Sequence, residues 1–268
     1  MNAPPFRAGG STQTGLNRRV NEDYLLLDPD AGLVAVFDAG GSWEGTGERT
    51  GPISSAIFQS AIREGFDVEP HEVIKRAFLL AGETIREEIS RAEPETSDCS
   101  GASVALALVR DGRVFISWLG DATAYRVTGD QIEPLTRPHT FTNELIRQGR
   151  TAEAAAHPNF RNVLLCALGG ELPDPLEVVS FVPKPGDRLV LTTDGITNHI
   201  PNSTILTACR TISDPTTCAE AIIEHALTAG SRDNCTCAVI AFELREDGSM
   251  PEPVRHHRAA RKWWRFWM

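Results

Sequence analysis

Several short stretches of the chain share one pattern: an unbroken apolar run with a carboxylate at one end. Residues 33–37 run into Asp38, Ala39, Gly40 and Gly41, and residues 188–192 run into Thr193, Asp194 and Gly195. Residues 235–242 follow directly on Arg232, Asp233 and Asn234, and residues 24–27 follow Asn21, Glu22 and Asp23. Such runs, bounded by glycine and aspartate, predict buried strands. Asp28-Pro29-Asp30-Ala31-Gly32 predicts a hairpin joining 24–27 to 33–37. A further strand is expected within 11–20, after a flexible lead over residues 1–10. A helical period starts at Pro52, with Ile53, Ala56, Ile57 and Ala61 as its buried stripe. A second helix over 71–91 carries Ile74, Phe78, Ala81, Ile85 and Ile89 on one face. Strands over 102–109, 114–118, 124–127 and 131–135 alternate with Asp-Gly and Gly-Asp turns and read as an antiparallel meander. Two short helices (141–148, 152–156) precede two strands (176–182, 188–193). Asp214-Pro215 opens a helix with Cys218, Ala221, Ile222 and His225 on one face, closed by Gly230 before a last strand over 235–244. Helices flank runs of strands rather than alternating with them, so the fold class is α+β, two antiparallel sheets covered by helices.

Carboxylates gathered at strand ends form an acidic cluster that is stable only with cations or protons in it. Taken singly, an aspartate at a strand end is as readily a turn former as a ligand. The composition suits a globular body: 268 residues, 41% hydrophobic and 23% charged, enough for a core without disulfide staples. Cysteines 99, 166, 209, 218, 235 and 237 lack paired metal-ligand spacing and read as reduced, buried thiols. The net charge is −10; residues 254–268 hold five Arg or Lys and no acid, so removing their contribution leaves −15 on the rest. An acidic body argues against nucleic acid as partner. No signal core or spanning run is evident, and a cytoplasmic monomer is expected.

The order of motifs is more specific than any one of them. Arg18-x-x-Asn21-Glu22-Asp23, Asp38-Ala39-Gly40-Gly41, Gly101-Ala102-Ser103, Gly120-Asp121, Ala167-Leu168-Gly169, Thr193-Asp194-Gly195 and Asp233-Asn234 follow one another in turn. This series resembles the metal-dependent serine/threonine protein phosphatases (PPM, or type-2C) in their compact bacterial form. The likeness covers residues 12–243, within a phosphatase domain over 11–244 and apart from a tail over 245–268. Residues 145–158 are similar to the family's flap beside the active site. The resemblance implies an α-β-β-α sandwich with two manganese or magnesium ions between the sheet ends. Asp38 would bridge both ions, and Ala39 would offer its backbone carbonyl. Asp194 and Asp233 would ligate directly, and Glu22 and Asp23 mostly through water. Arg18 would clamp the substrate phosphate, and Asp121 would match a ligand of a third ion. The implied reaction is hydrolysis of phosphoserine and phosphothreonine in proteins by a metal-bridged water, opposing a bacterial Ser/Thr kinase. The residue types suit that chemistry: hard cations take oxygen ligands, and a guanidinium matches phosphate oxygens.

The chain also departs from the family. The usual Asp-Gly-x-Gly-Gly is shortened here, with Ala39 where glycine is common, and no histidine follows in that loop. If the loop needs a conformation that glycine reaches easily, Ala39 resists it. Asn198 stands where the family often has an Asp for the third ion, so that ion is expected to bind poorly. His139 matches a position where the family commonly has histidine and is expected to be structural, while Trp43 shapes either the substrate surface or the packing. The Ala39 loop and Asn198 keep open a catalytically weak or inactive phosphoprotein-binding relative; a third reading is a phosphatase of the sporulation-type branch. In the tail, Trp263, Trp264, Phe266 and Trp267 stand among Arg258, Arg261, Lys262 and Arg265. That mixture suits peripheral contact with an anionic membrane, packing against the acidic body, or docking on a partner.

Overall fold

A computed structural model describes residues 6–40, 46–92, 101–170 and 172–243; Trp43 and the tail lie outside them. In chain order the elements are β1 (Arg7–Gln13), β2 (Asp23–Asp28), β3 (Leu33–Gly40), α1 (Thr46–Glu64), α2 (Pro70–Ala92), β4 (Gly101–Arg110), β5 (Arg113–Leu119), β6 (Thr123–Thr128) and β7 (Gln131–Pro134). They continue with α3 (Phe141–Arg147), α4 (Thr151–Ala156), β8 (Val178–Phe181), β9 (Arg188–Thr192), α5 (Asp194–Thr197), α6 (Asn202–Thr211), α7 (Pro215–Thr228) and β10 (Cys235–Ala241). The strands form two five-stranded sheets, ordered β1-β10-β9-β6-β7 and β2-β3-β4-β5-β8, with every pairing antiparallel.

Strand alternation sorts the side chains into layers. Along β3, Leu33, Ala35 and Phe37 face α1 and α2, while Val34 and Val36 face the other sheet. On β9 and β10, Leu189, Leu191, Ala238 and Ile240 complete the layer between the sheets. Val190, Cys235, Cys237 and Val239 face the opposite way, against α6 and α7. The result is a four-layer α-β-β-α sandwich. Phe37 stands edge-on to Phe58 of α1, with ring centroids 5.6 Å apart, and Phe58 edge-on to Phe78 of α2 at 4.9 Å. These rings are fully buried, each worth roughly 1.5–3 kcal/mol by burial, and they seat β3 firmly on its helices.

Several sequence expectations shift. The first strand is Arg7–Gln13 rather than a segment within 11–20, because pairing runs from Arg7↔Ala241 to Gln13↔Cys235; residues 7–10 are therefore strand, not lead. α1 starts at Thr46, with Pro52 inside it. Its buried face is Ser54, Ser55, Phe58, Ala61 and Ile62, and Ala56 is exposed. The meander breaks after β5: the chain crosses at Gly120, φ +71°, from one sheet to the other. The tight turn read there as a hairpin is a sheet switch. β8 and β9 likewise belong to different sheets. On α7 the buried face is Cys218, Ala219, Ile222, Ile223 and Ala226, so His225 points to solvent. α6 lacks a sequence-level counterpart; its first turn is polar and only Ile205, Ala208 and Cys209 are buried.

Candidate active site

The row Val34, Val36, Asp38 shows how the site arises. Asp38 continues the series that faces the opposite sheet, at the point where the apolar layer ends. Its cross-strand partners are Asp23 on β2 and Ser103 on β4. From the other sheet, Thr193 follows β9, and Thr236 lies on β10. Asp194 opens α5. The site is thus the polar end of the intersheet layer, supplied by both sheets.

Hydrogen bonds fix this end. Thr193 Oγ1 donates to Asp23 Oδ2 at 2.8 Å and accepts from the Thr236 backbone N–H at 3.0 Å. Ser103 Oγ donates to Asp121 Oδ1 at 2.8 Å. Asn198 Nδ2 donates to Asp194 Oδ2 at 3.0 Å. Asn234 ties the loop before β2 to the loop before β10: its Oδ1 accepts from the Glu22 N–H at 2.9 Å and its Nδ2 donates to the Val20 carbonyl at 3.0 Å. Arg18 Nη2 donates to Asp233 Oδ2 at 2.9 Å and lies 2.8 Å from Oδ1. Gly15 passes against the Asp233 carbonyl so closely that a Cβ there would overlap it.

The electrostatics show what the cluster lacks. Burial, then the charges of Asp23, Asp194 and Asp121, lift the Asp38 carboxyl well above its ordinary range. Asp23 is pushed up to about 7 by burial, against the pull of the Thr193 and Thr236 hydrogen bonds. Asp194 rises to about 6, through burial and then the charge of Asp121, and Asp121 is itself raised by burial. The charge of Asp194 also disfavours ionisation of Asp38, so the two carboxyls facing this end call for a cation or a proton to offset them.

Among the described residues, no three His, Cys, Asp or Glu side chains form a ready ligand set around one point. The donor chemistry nevertheless fits hard divalent ions: the set is oxygen-only and mutually repelling. Asp23, Asp38, Asp121 and Asp194 act on one another electrically, and Asp233, at the rim with Arg18, adds its charge to those that raise Asp23, Asp121 and Asp194. Glu22 is held beside them through its backbone. Ala39 lies in extended β3, paired with Ala102. Asp111 is the one non-glycine residue with positive φ among the described residues, so alanine at 39 carries no left-handed strain. His139 stands behind the site, stacked on Trp118 with centroids 5.8 Å apart and 3.6 Å from Glu177.

An open cleft passes over the rim, lined by Arg18, Asp194, Asn198, Asp233 and also Arg161 and Asn162. Arg161 lies in the 3-10 turn after α4; as one polar residue in a loop, it gave no pattern to find. Thr193, Asn21 and Asn234 sit inside motifs recognised in the sequence, but their positioning contacts emerge only from the fold.

Residues 17–225 match the family model described as protein phosphatase 2C. The serine/threonine phosphatase stp of Listeria welshimeri is 32% identical over 248 residues, covering 88% of this chain and 96% of that protein. The crystal structure of the Mycobacterium tuberculosis serine/threonine phosphatase PstP/Ppp superposes with a TM-score of 0.79 at 26% identity, covering 89% of this chain and 99% of that one. The PstP catalytic domain in complex with two manganese ions gives 0.72 at 26% identity, covering 88% and 97%. With two sheets delivering carboxylates to one polar end and a family match over most of its length, the chain belongs to the protein phosphatase 2C family of serine/threonine phosphatases.

Proposed function

We propose that this phosphatase removes phosphate from phosphoserine and phosphothreonine in proteins and so opposes a Ser/Thr kinase, acting as a monomer. The observation that carries the reading is the set of facing carboxylates, Asp23, Asp38, Asp121 and Asp194, each driven toward its neutral form at the polar end of the intersheet layer. Asp38, Asp194, Asp233 and the Ala39 carbonyl would hold two manganese or magnesium ions, with Glu22 and Asp23 reached through water. Such ions lower the pKa of a bound water and offset charge on the attacking and leaving oxygens.

The chain's own groups do the rest. Thr193 and Asn234 hold Asp23 and Glu22 in register, so that ligand positions persist through turnover. Arg18 carries the phosphate clamp: its guanidinium matches two phosphate oxygens and is half-exposed beside Asp233. Arg161 and Arg232 add further cations to the cleft, suited to the flanking backbone or phosphate of a protein substrate. Asn198 binds Asp194 by its amide instead of adding a charge, which favours weak third-ion binding near Asp121 and slow turnover. The weakly active or regulatory reading rests on that contact.

The test is hydrolysis of a phosphothreonine peptide with manganese, with magnesium and with chelator. Metal-dependent release of phosphate, lost in Asp38→Ala, is the expected result. Ions that bind by calorimetry without any release would turn the assignment to a non-catalytic phosphoprotein binder.

A further inference from the structure

On β10, Ala238 and Ile240 face the layer between the sheets, and Thr236 continues their row to its polar end. Thr12 lies directly opposite Thr236 in the β1–β10 pairing, so the two side chains share a face. Their Oγ1 atoms share a hydrogen bond at 2.6 Å. Asn21, in the loop before β2, donates from Nδ2 to Thr12 Oγ1 at 2.8 Å. Its Oδ1 accepts from the Asp23 backbone N–H at 3.2 Å. Asp23 Oδ2 accepts from Thr193 Oγ1, which itself accepts from the Thr236 backbone N–H. These contacts close on themselves: Thr12, Asn21, Asp23, Thr193 and Thr236 form one hydrogen-bonded ring.

The ring grips Asp23 at two points, its backbone N–H and its carboxylate. Asp23, Thr193 and Thr236 are buried, whereas Thr12 is exposed on β1. The ring therefore reaches from a strand at the edge of its sheet to a buried carboxylate of the site. Holding that edge strand in place does not require it: β1 already pairs with β10 from Arg7 to Gln13. The Asn21 arm leaves the β1–β10 pairing altogether and ends on Asp23. A carboxylate that serves a metal centre needs partners that fix its orientation, and such partners act without touching the ion. We propose that Thr12, Asn21 and Thr236 are positioning residues for the metal centre, which through this ring fix the Asp23 carboxylate where it serves the ions. The proposal rests on the reading of Asp23 as a group that reaches the ions through water.

The test compares Thr12→Val, Thr12→Ser, Asn21→Ala and the double variant Thr12→Val/Asn21→Ala in the full chain. Valine keeps the shape of threonine, suits a strand and removes the hydroxyl. Thr12→Val and Asn21→Ala should each raise the manganese Kd about tenfold by calorimetry, the usual cost of losing an outer partner of a metal site. Thr12→Ser should recover most of that loss. Opening a ring twice costs little more than opening it once, so the double variant should bind about as the weaker single does. On a phosphothreonine peptide, kcat should fall when manganese is limiting and recover when it is in excess, with the peptide KM unmoved. In the metal-free protein, amide exchange at Asp23, read by NMR, should quicken about fivefold or more in Thr12→Val. The melting temperature should stay within about 2 °C of the parent, since Thr12 is exposed. A lower melting temperature with unchanged manganese affinity and exchange would overturn the proposal in favour of a purely structural pair. Additive losses in the double variant, or Thr12→Ser no better than Thr12→Val, would also overturn it. A parent that binds no manganese would overturn the proposal together with the reading it rests on. A parent that binds manganese and hydrolyses the peptide, with an affinity indifferent to Thr12→Val, would overturn the proposal alone.

Discussion

Replacing Asp194 with asparagine should stabilise the metal-free protein near neutral pH and leave it unchanged in acid. In the unfolded chain Asp194 ionises near its ordinary 3.8; in the folded, metal-free state it keeps its proton up to about 6. Between these values the folded state binds more protons than the unfolded one, so stability falls as pH rises. Below about 3.8 both states are protonated and the difference vanishes; above about 6 both are ionised and the penalty is complete. A shift of about two pH units at ~1.4 kcal/mol each corresponds to about 3 kcal/mol. Asparagine is uncharged throughout and its carbonyl can still accept the Asn198 amide that now donates to Asp194. Urea unfolding of chelator-treated parent and variant from about pH 3 to 8 measures the difference directly. The two should coincide at the acid end, and the variant should lead by about 3 kcal/mol at pH 8. Added manganese at about 1,000 times its Kd should reverse the order, since it then stabilises the parent by about 4.1 kcal/mol and the variant lacks a ligand. A parent-to-variant difference that stays constant across this range would refute the idea that facing carboxylates, rather than packing, set the tension of the site.

Arg18→Ala should raise KM on a phosphothreonine peptide about tenfold or more with a smaller change in kcat, the mark of a group that binds phosphate in ground and transition states alike; an unchanged KM refutes the clamp. Gly15→Ala should displace the Asp233 backbone that a Cβ would overlap. A shift of about 1 Å lowers kcat/KM by about 100-fold, and calorimetry should show weaker manganese binding; parent-like values for both would count against Asp233 as a ligand. Asn198→Asp adds a charge beside Asp194 and Asp121 and should increase turnover at high metal concentration, with steady-state kinetics across a manganese titration as the check; no change would remove Asn198 as the cause of slow turnover.

The stretches most legible in the sequence were those where local pattern and final environment agree. The run 33–37 ending in Asp38 is a strand in both readings, because burial on two faces demands unbroken apolar residues there. The stripe Ile74, Phe78, Ala81, Ile85 and Ile89 is buried as its spacing predicts. Expectations went astray where tertiary contacts override local pattern. Gly9 and Gly10 carry no strand propensity, yet β1 forms because β10 offers a paired edge. Pro52 reads as a helix start, yet α1 continues through it from Thr46. The turn at Gly120 looks like any hairpin, and only the partner strands reveal that the chain changes sheets there. In the site, ordered motifs named the carboxylates. The hydrogen bonds of Thr193 and Asn234 and the placing of Arg161 in the cleft depend on segments remote in sequence, which no local pattern encodes.

The pairing of β1 with β10 joins residues 7–13 to residues 235–241, and Asn234 links the loop before β2 to the end of the domain. A growing polypeptide on the ribosome thus holds Arg18, Glu22, Asp23 and Asp38 long before Asp233 and the closing strand exist. Sheets of such high contact order assemble late and slowly. The nascent chain consequently passes most of its synthesis without a complete site, and its catalytic competence arrives with the last strand. Premature termination before residue 235 leaves out the whole of β10 and with it the pairings that join β1 and β9 in one sheet, so such a product is expected to expose unpaired strand edges and aggregate rather than fold.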